Sequence, residues 1–210
     1  MEEKAVTTKQ KILEASLALF SEKGYKATTV RDIAGKVGIR QGAIYNHFKN
    51  KEEILETLVN NLTESALVHL FEEESENKTG KQLLARIATT FKLISFDPRN
   101  EALFRLMMQE LFRNEKIRDL YHERFYQQNV KRLSSYLFQM MQEEMIRSSD
   151  PLLLANEFFA PLFFYQMQVV LLKMDGKSTS AAVTMFEKHV DLFWDSIRIQ
   201  DNEAAKKTLF

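Results

Sequence analysis

The chain has 210 residues, 29 Lys and Arg against 29 Asp and Glu, and no cysteine. That length can bury one large core or two smaller ones without covalent staples, and the lack of cysteine excludes a disulfide framework and a thiolate metal site. The opening run MEEKAVTTKQK has no apolar h-region, so no secretory signal is expected and a cytoplasmic location is inferred.

The zero net charge hides an asymmetry. Residues 1–50 hold nine basic and five acidic side chains, whereas residues 51–210 hold twenty and twenty-four. A basic first quarter suits a partner that carries phosphates. Four of the six glycines lie before residue 43, and hairpin signals between alternating apolar runs are nearly absent. The expected fold is all-α with about nine helices, and the expected domain division is 1–50 and 51–210.

A first helix is predicted over residues 8–23. Thr7 or Thr8 caps it, Ile12, Leu13, Ser16, Leu19 and Phe20 form its inner face, and Gly24 ends it as a left-handed residue would. Thr28 is the expected cap of the next helix, which carries Val30, Ile33, Ala34 and Val37 at i, i+3, i+4, i+7. Gly38 breaks that run. Ile39, Ala43, Ile44 and Phe48 then resume helical spacing, with Arg40, Gln41, Gly42, Tyr45, Asn46 and His47 between them. Two short helices around a tight turn, the second polar on its free face, form a helix-turn-helix that can place a helix in the DNA major groove.

The longer stretch FSEKGYKATTVRDIAGKVGIRQGAIYNHFKNKEEIL closely resembles the N-terminal DNA-binding domain of the TetR family of bacterial transcriptional regulators. The resemblance rests on Phe20, Gly24, Tyr25, Thr28, Thr29, Ile33, Ala34, Gly38, Gly42, Tyr45, Phe48, Lys51 and Glu52, and covers roughly the first quarter of the chain. It implies that Thr28 and Thr29 serve both helix and DNA backbone, that Tyr45 and His47 meet phosphates or a thymine methyl, and that Lys51 contacts the backbone. Arg40 can fork onto guanine O6 and N7, and Gln41 can pair with adenine. Many relatives have a small residue where this chain has Arg40, lysine where it has Gln41 and an aromatic where it has Asn46, so no base preference carries over. Gly42 leaves room for a close backbone approach, at a helix cost of about 1 kcal/mol relative to alanine; tight packing inside the chain is the alternative explanation.

Asn50 and Glu53 form a capping box for a fourth helix that continues through Leu58, Leu62, Ala66 and Leu70. A polar loop is expected over 74–80, then helices over 81–96, 100–113 and 117–146, with a break at Asp97-Pro98. The next helix, about 151–175, is apolar nearly all round and so must be covered on more than one side. It is long enough to span a bilayer, but Asn156, Glu157, Pro161, Gln166 and Gln168 interrupt it, and no membrane partner is expected. In the last helix Val183, Phe186, Val190, Phe193 and Ile197 recur at intervals of 3 and 4, and Trp194 widens the seam. This heptad pattern points to packing along another helix, either in a homodimer, which the resemblance also implies, or within its own core.

Fourteen of the sixteen phenylalanines follow residue 50 and join nine methionines in an adaptable interior. The resemblance implies a ligand pocket there. Phe91, Phe104, Met107, Met108, Phe125, Phe159, Phe163 and Met167 are its expected walls, and Tyr121, Gln128, Tyr165 and Gln166 its polar groups. A small lipophilic effector, such as a fatty acyl compound or an aromatic drug-like molecule, is the expected ligand. No cofactor or catalytic residue is expected. Asp119 and His122 share a helix face without identifiable further metal ligands, and neither a Gly-rich phosphate loop nor a nucleophile elbow occurs. The expected protein is a homodimeric repressor on a near-palindromic double-stranded DNA operator. Two alternatives stay open: a DNA binder without a ligand, and a helical lipid-binding protein or enzyme that keeps the fold alone.

Overall fold

The computed structural model describes residues 7–64 and 80–199. The expected course of the fourth helix through Ala66 and Leu70, the loop residues 74–79 and the tail after residue 199 lie outside the described residues. Helices account for the regular structure: α1 (Thr8–Lys23), α2 (Val30–Val37), α3 (Gln41–Ile44), α4 (Lys51–Glu64), α5 (Lys81–Phe96), α6 (Pro98–Leu111), α7 (Glu115–Leu120), α8 (Lys131–Gln142), α9 (Pro151–Met174) and α10 (Ser180–Ile197). A π-helical stretch, Tyr121–Val130, joins α7 to α8. Among the described residues the sole strand-like pairing is one antiparallel bridge between Ile146 and Arg198.

The chain divides into two compact units, Met1–Glu64 with Pro98–Glu123, and Ser65–Asp97 with Arg124–Phe210. These do not follow a cut at residue 50. The reason lies in what α6 and α7 pack against: α6 packs on α1 and α4, and α7 on α4 and α6. Leu103, Leu106, Met107 and Ile117 are buried there. Arg99 Nε donates to Glu14 Oε1 at 2.7 Å, and Lys116 Nζ lies 3.1 and 3.3 Å from Glu52 and Glu56.

In the second unit, α9 packs on α5, α8 and α10. Leu83, Leu84, Ile87 and Phe91 of α5, Leu133, Leu137 and Met140 of α8, and Phe158, Phe159 and Leu162 of α9 make one core. Asp150 caps α9 through Oδ1, which accepts from the amides of Leu152 and Leu153, and Pro151 occupies the first turn where no amide partner is needed. The described residues of the chain cover only one side of this helix. Leu152, Leu153, Phe164, Leu171 and Met174 stay exposed. Among the described residues no helix is long and apolar enough to cross a membrane.

The helix expected over 117–146 is not one α-helix. It starts at Glu115, passes through the π-helical stretch and ends at Gln142, after which Glu144 takes a positive φ of 54° and Ile146 pairs with Arg198. Period alone could not show this, because a π-turn inserts one residue without disturbing the apolar pattern on either side.

His189 is buried against the second core. Its Nε2 donates to the Phe158 carbonyl at 2.9 Å, and its ring stacks on Phe158 with centroids 5.2 Å apart. Burial pushes its pKa below the usual 6.5, opposed by that backbone bond. The fold therefore favours the neutral ring. Its contribution to stability is complete above about pH 6.5 and is lost as pH falls through the lower folded value. The difference in melting temperature between the protein and His189→Gln should accordingly shrink as pH drops from 7.5 to 5.5. A constant difference would place the titration elsewhere.

Candidate nucleic-acid interface

The geometry of the helix-turn-helix follows from its caps. Thr29, not Thr28, caps α2: Thr29 Oγ1 accepts from the Asp32 amide at 3.1 Å, and the Thr29 amide donates to Asp32 Oδ2 at 2.8 Å. The Thr29 hydroxyl also donates to that carboxylate, at 2.6 Å. These bonds from Thr29, side chain first, hold the Asp32 pKa below its usual value. Thr28 is fully buried, and its hydroxyl donates to the carbonyls of Gly24 and Leu19 at 2.9 and 3.3 Å. Sequence spacing could not separate two adjacent threonines; burial does. Asp32 was missed as the other half of the box because Asp is a rarer partner there than Glu or Gln.

Gly38 turns the chain at φ 79°, ψ 31°, in the left-handed region that favours glycine. α3 is then only four residues long, shorter than the expected helix through Phe48, and residues 45–47 form a turn. Ile44 and Phe48 are buried at 1 and 2 % exposure and pin this segment to the core, as do Ile33 and Ala34 for α2. Arg40, Gln41, Gly42, Tyr45, Asn46 and His47 all remain exposed. A Cβ built on Gly42 would meet nothing within 4 Å, and its φ is not positive. Packing within the chain therefore does not explain this glycine.

Lys51 faces inward. Its Nζ donates to the carbonyls of Tyr25 and Thr28, both at 2.7 Å, and lies 4.3 Å from the centroid of the Tyr25 ring. Burial lowers its pKa, opposed by the buried Glu110 of α6. Burial raises the pKa of Tyr25, helped by Glu52, Glu110 and Glu56. Tyr25 packs edge-on against Phe20 with centroids 5.2 Å apart. The ammonium implied by resemblance to touch DNA thus ties the α1–α2 turn to the start of α4. Lys51→Met should lower the unfolding free energy by about 1–3 kcal/mol, since two carbonyls lose their donor. The check is a urea midpoint shift at constant m-value. No shift would mean that water replaces the ammonium without cost.

The expected ligand residues fall in both units. Phe104 and Met107 are buried, and Met108 and Tyr121 half-buried, in the first; burial raises the Tyr121 pKa. In the second, Phe91, Phe159 and Gln166 are buried, and Gln128, Phe163, Tyr165 and Met167 are half-buried. Phe91 and Phe159 meet with centroids 5.9 Å apart, and Tyr165 stands edge-on to Phe186 at 5.6 Å. The Phe125 side chain lies outside the described residues. A groove of about 140 Å³ between α5 and α10, edged by the Lys92–Glu187 and Lys81–Asp191 pairs, includes none of these candidates.

The heptad seam of α10 is internal. Phe186, Val190, Phe193 and Ile197 belong to the core of their own unit, Trp194 packs against it, and Val183 is half-buried. The pattern was that of a helix packing along helices, and here they are α5 and α9 of the same chain. The exposed apolar residues of α10 are instead Met185 and Leu192, seven residues apart.

Comparison with known proteins places this architecture. A family model described as bacterial regulatory proteins, tetR family, matches residues 12–58, and one described as the C-terminal domain of AefR-like transcriptional repressors matches residues 82–196. The transcriptional repressor KstR2 of Mycobacterium tuberculosis is 50% identical over 48 residues, 23% of this chain and 24% of that protein. The probable acrEF/envCD operon repressor of Escherichia coli is 28% identical over 117 residues, 54% of this chain and 52% of that protein. The chain thus aligns with about a quarter to a half of these curated relatives. Among solved structures, FadR of Bacillus subtilis in complex with stearoyl-CoA superposes with a TM-score of 0.71 at 24% identity, covering 88% of this chain and 96% of that one. A SmeT–triclosan complex superposes with a TM-score of 0.75 at 20% identity, covering 92% and 93%. With one model on the helix-turn-helix and another over more than half of the chain, this protein belongs to the TetR family of bacterial transcriptional regulators.

Proposed function

We propose that the protein is a ligand-responsive repressor that binds a near-palindromic operator as a homodimer and leaves it when a small lipophilic molecule binds the helical remainder. The observation that carries the DNA half is the exposed polar face from Arg40 to His47, held by the buried anchors Ile44 and Phe48. Arg40 and Gln41 are the base-reading side chains. Tyr45, Asn46, His47 and Thr29 lie toward the backbone, and Gly42 admits it closely. Thr28 and Lys51 act from inside, by fixing the turn before α2 and the start of α4. The functional division at residue 50 separates this reading head from the helices that bind ligand and partner.

The dimer reading rests on the uncovered sides of α9 and α10. Leu153, Ala160, Phe164 and Leu171 recur at intervals of 7, 4 and 7 along α9, and Met185 and Leu192 at 7 along α10. Two helices from each subunit then make a four-helix interface. Their recognition segments must stand about 34–36 Å apart, or a suitable multiple, to reach successive major grooves. Ligand release is a population shift toward a spacing that does not fit, with a coupling of about 1–3 kcal/mol. The acyl-CoA and triclosan complexes of FadR and SmeT support a lipophilic effector.

The test is selection of bound sequences from a random DNA pool, with purified protein at fixed moderate salt. A pseudo-palindrome is the expected result. No enriched sequence from protein first stripped of bound lipid would overturn the operator reading.

A further inference from the structure

Asn129 is 1% exposed, and neither its Oδ1 nor its Nδ2 has a hydrogen-bond partner. One helical turn on, Arg132 Nη1 is also sheltered from solvent and without a partner. Both residues belong to the second unit and straddle the passage from the π-helical stretch into α8. Their neighbours in sequence, Val130, Leu133 and Leu137, are core residues. Buried polar atoms in folded proteins nearly always find a partner, so an unpaired carboxamide and an unpaired guanidinium nitrogen three residues apart call for an explanation. A π-helical stretch is a second, independent mark, since such segments recur at functional sites.

The chemistry of the pair specifies what would satisfy it. The guanidinium offers only donors and carries a fixed positive charge. The carboxamide offers donors through Nδ2 and needs a donor for Oδ1. A simple carboxylate answers the first two needs and leaves Oδ1 bare. A carboxylate with a nearby hydroxyl answers all three. The core residues beside the pair, Val130, Leu133 and Leu137, suit an apolar body. We propose that Asn129 and Arg132 form the polar end of a binding site for a hydroxylated aliphatic carboxylic acid, a proposal that rests on the effector reading above and narrows its ligand class.

The experiment is calorimetric titration of the full chain with 3-hydroxydodecanoate, dodecanoate and dodecanol, the acids below their micellar concentrations and the alcohol below its solubility limit. The hydroxy acid should bind at least tenfold more tightly than dodecanol, with dodecanoate between them. Arg132→Met should erase the preference for either acid over the alcohol. Asn129→Leu should erase the preference for the hydroxy acid over dodecanoate. Arg132 is only half-buried, so its variant serves even if the Asn129 variant fails to fold. No binding of the hydroxy acid, equal affinity for all three compounds, preferences that survive in folded variants, or loss of all binding in both variants would each overturn the proposal. Operator release is measured separately. If the acids bind with the stated order but leave the operator complex intact, the effector reading falls and the site stands.

Discussion

Replacing Phe164 and Leu192 together by glutamate is expected to turn the proposed dimer into a monomer and to weaken operator binding by about 100-fold or more. Phe164 is 54% and Leu192 73% exposed, so neither belongs to the buried core of its own chain. Exposed substitutions of this kind change stability by about 0.5 kcal/mol or less. A monomer keeps its reading head but loses the second half-site, and with it the gain from linked binding, which is about 10²–10⁴. Sedimentation gives the oligomeric state and fluorescence anisotropy the affinity, with helical content as the control for folding. A double variant that still sediments as a dimer would place the interface on another face.

Gly42→Ala is expected to separate stability from recognition. An alanine there meets no atom within 4 Å and sits in a helix, so the melting temperature should stay level or rise, by the equivalent of about 1 kcal/mol at most. Operator affinity should fall at least tenfold if Gly42 admits the DNA backbone as proposed, because the added methyl group projects into open space on that face. Arg40→Ala belongs in the same experiment. It should relax preference at one base pair, a discrimination of about 1–3 kcal/mol, while other positions keep theirs. Unchanged affinity in Gly42→Ala together with unchanged preference in Arg40→Ala would mean that another face reads the DNA.

The helix-turn-helix was legible because its signals are local. An i, i+3, i+4, i+7 face, a glycine at the turn and a cap threonine act over a few residues, and Ile33, Ala34, Ile44 and Phe48 proved buried as their spacing required. The start of α1 and the break at Asp97-Pro98 were legible for the same reason. Which of Thr28 and Thr29 caps α2 was not, since both can and only the packing of α1 decides which is buried.

The sequence by itself determined an all-α chain, the helix-turn-helix with its polar residues between Arg40 and His47, and a family resemblance that the comparisons bear out. Those depend on periodicity and on short-range backbone chemistry. Only the tertiary structure decided which apolar residues are spare. The heptad seam of α10 and the exposed stripe of α9 look alike in sequence, because the hydrophobic effect does not distinguish a partner helix in the same chain from one in another. Lys51 and Asn129 make the same point for polar groups. One is engaged by carbonyls 23 and 26 residues away and the other has no partner, and neither fact can be read until distant segments are brought together.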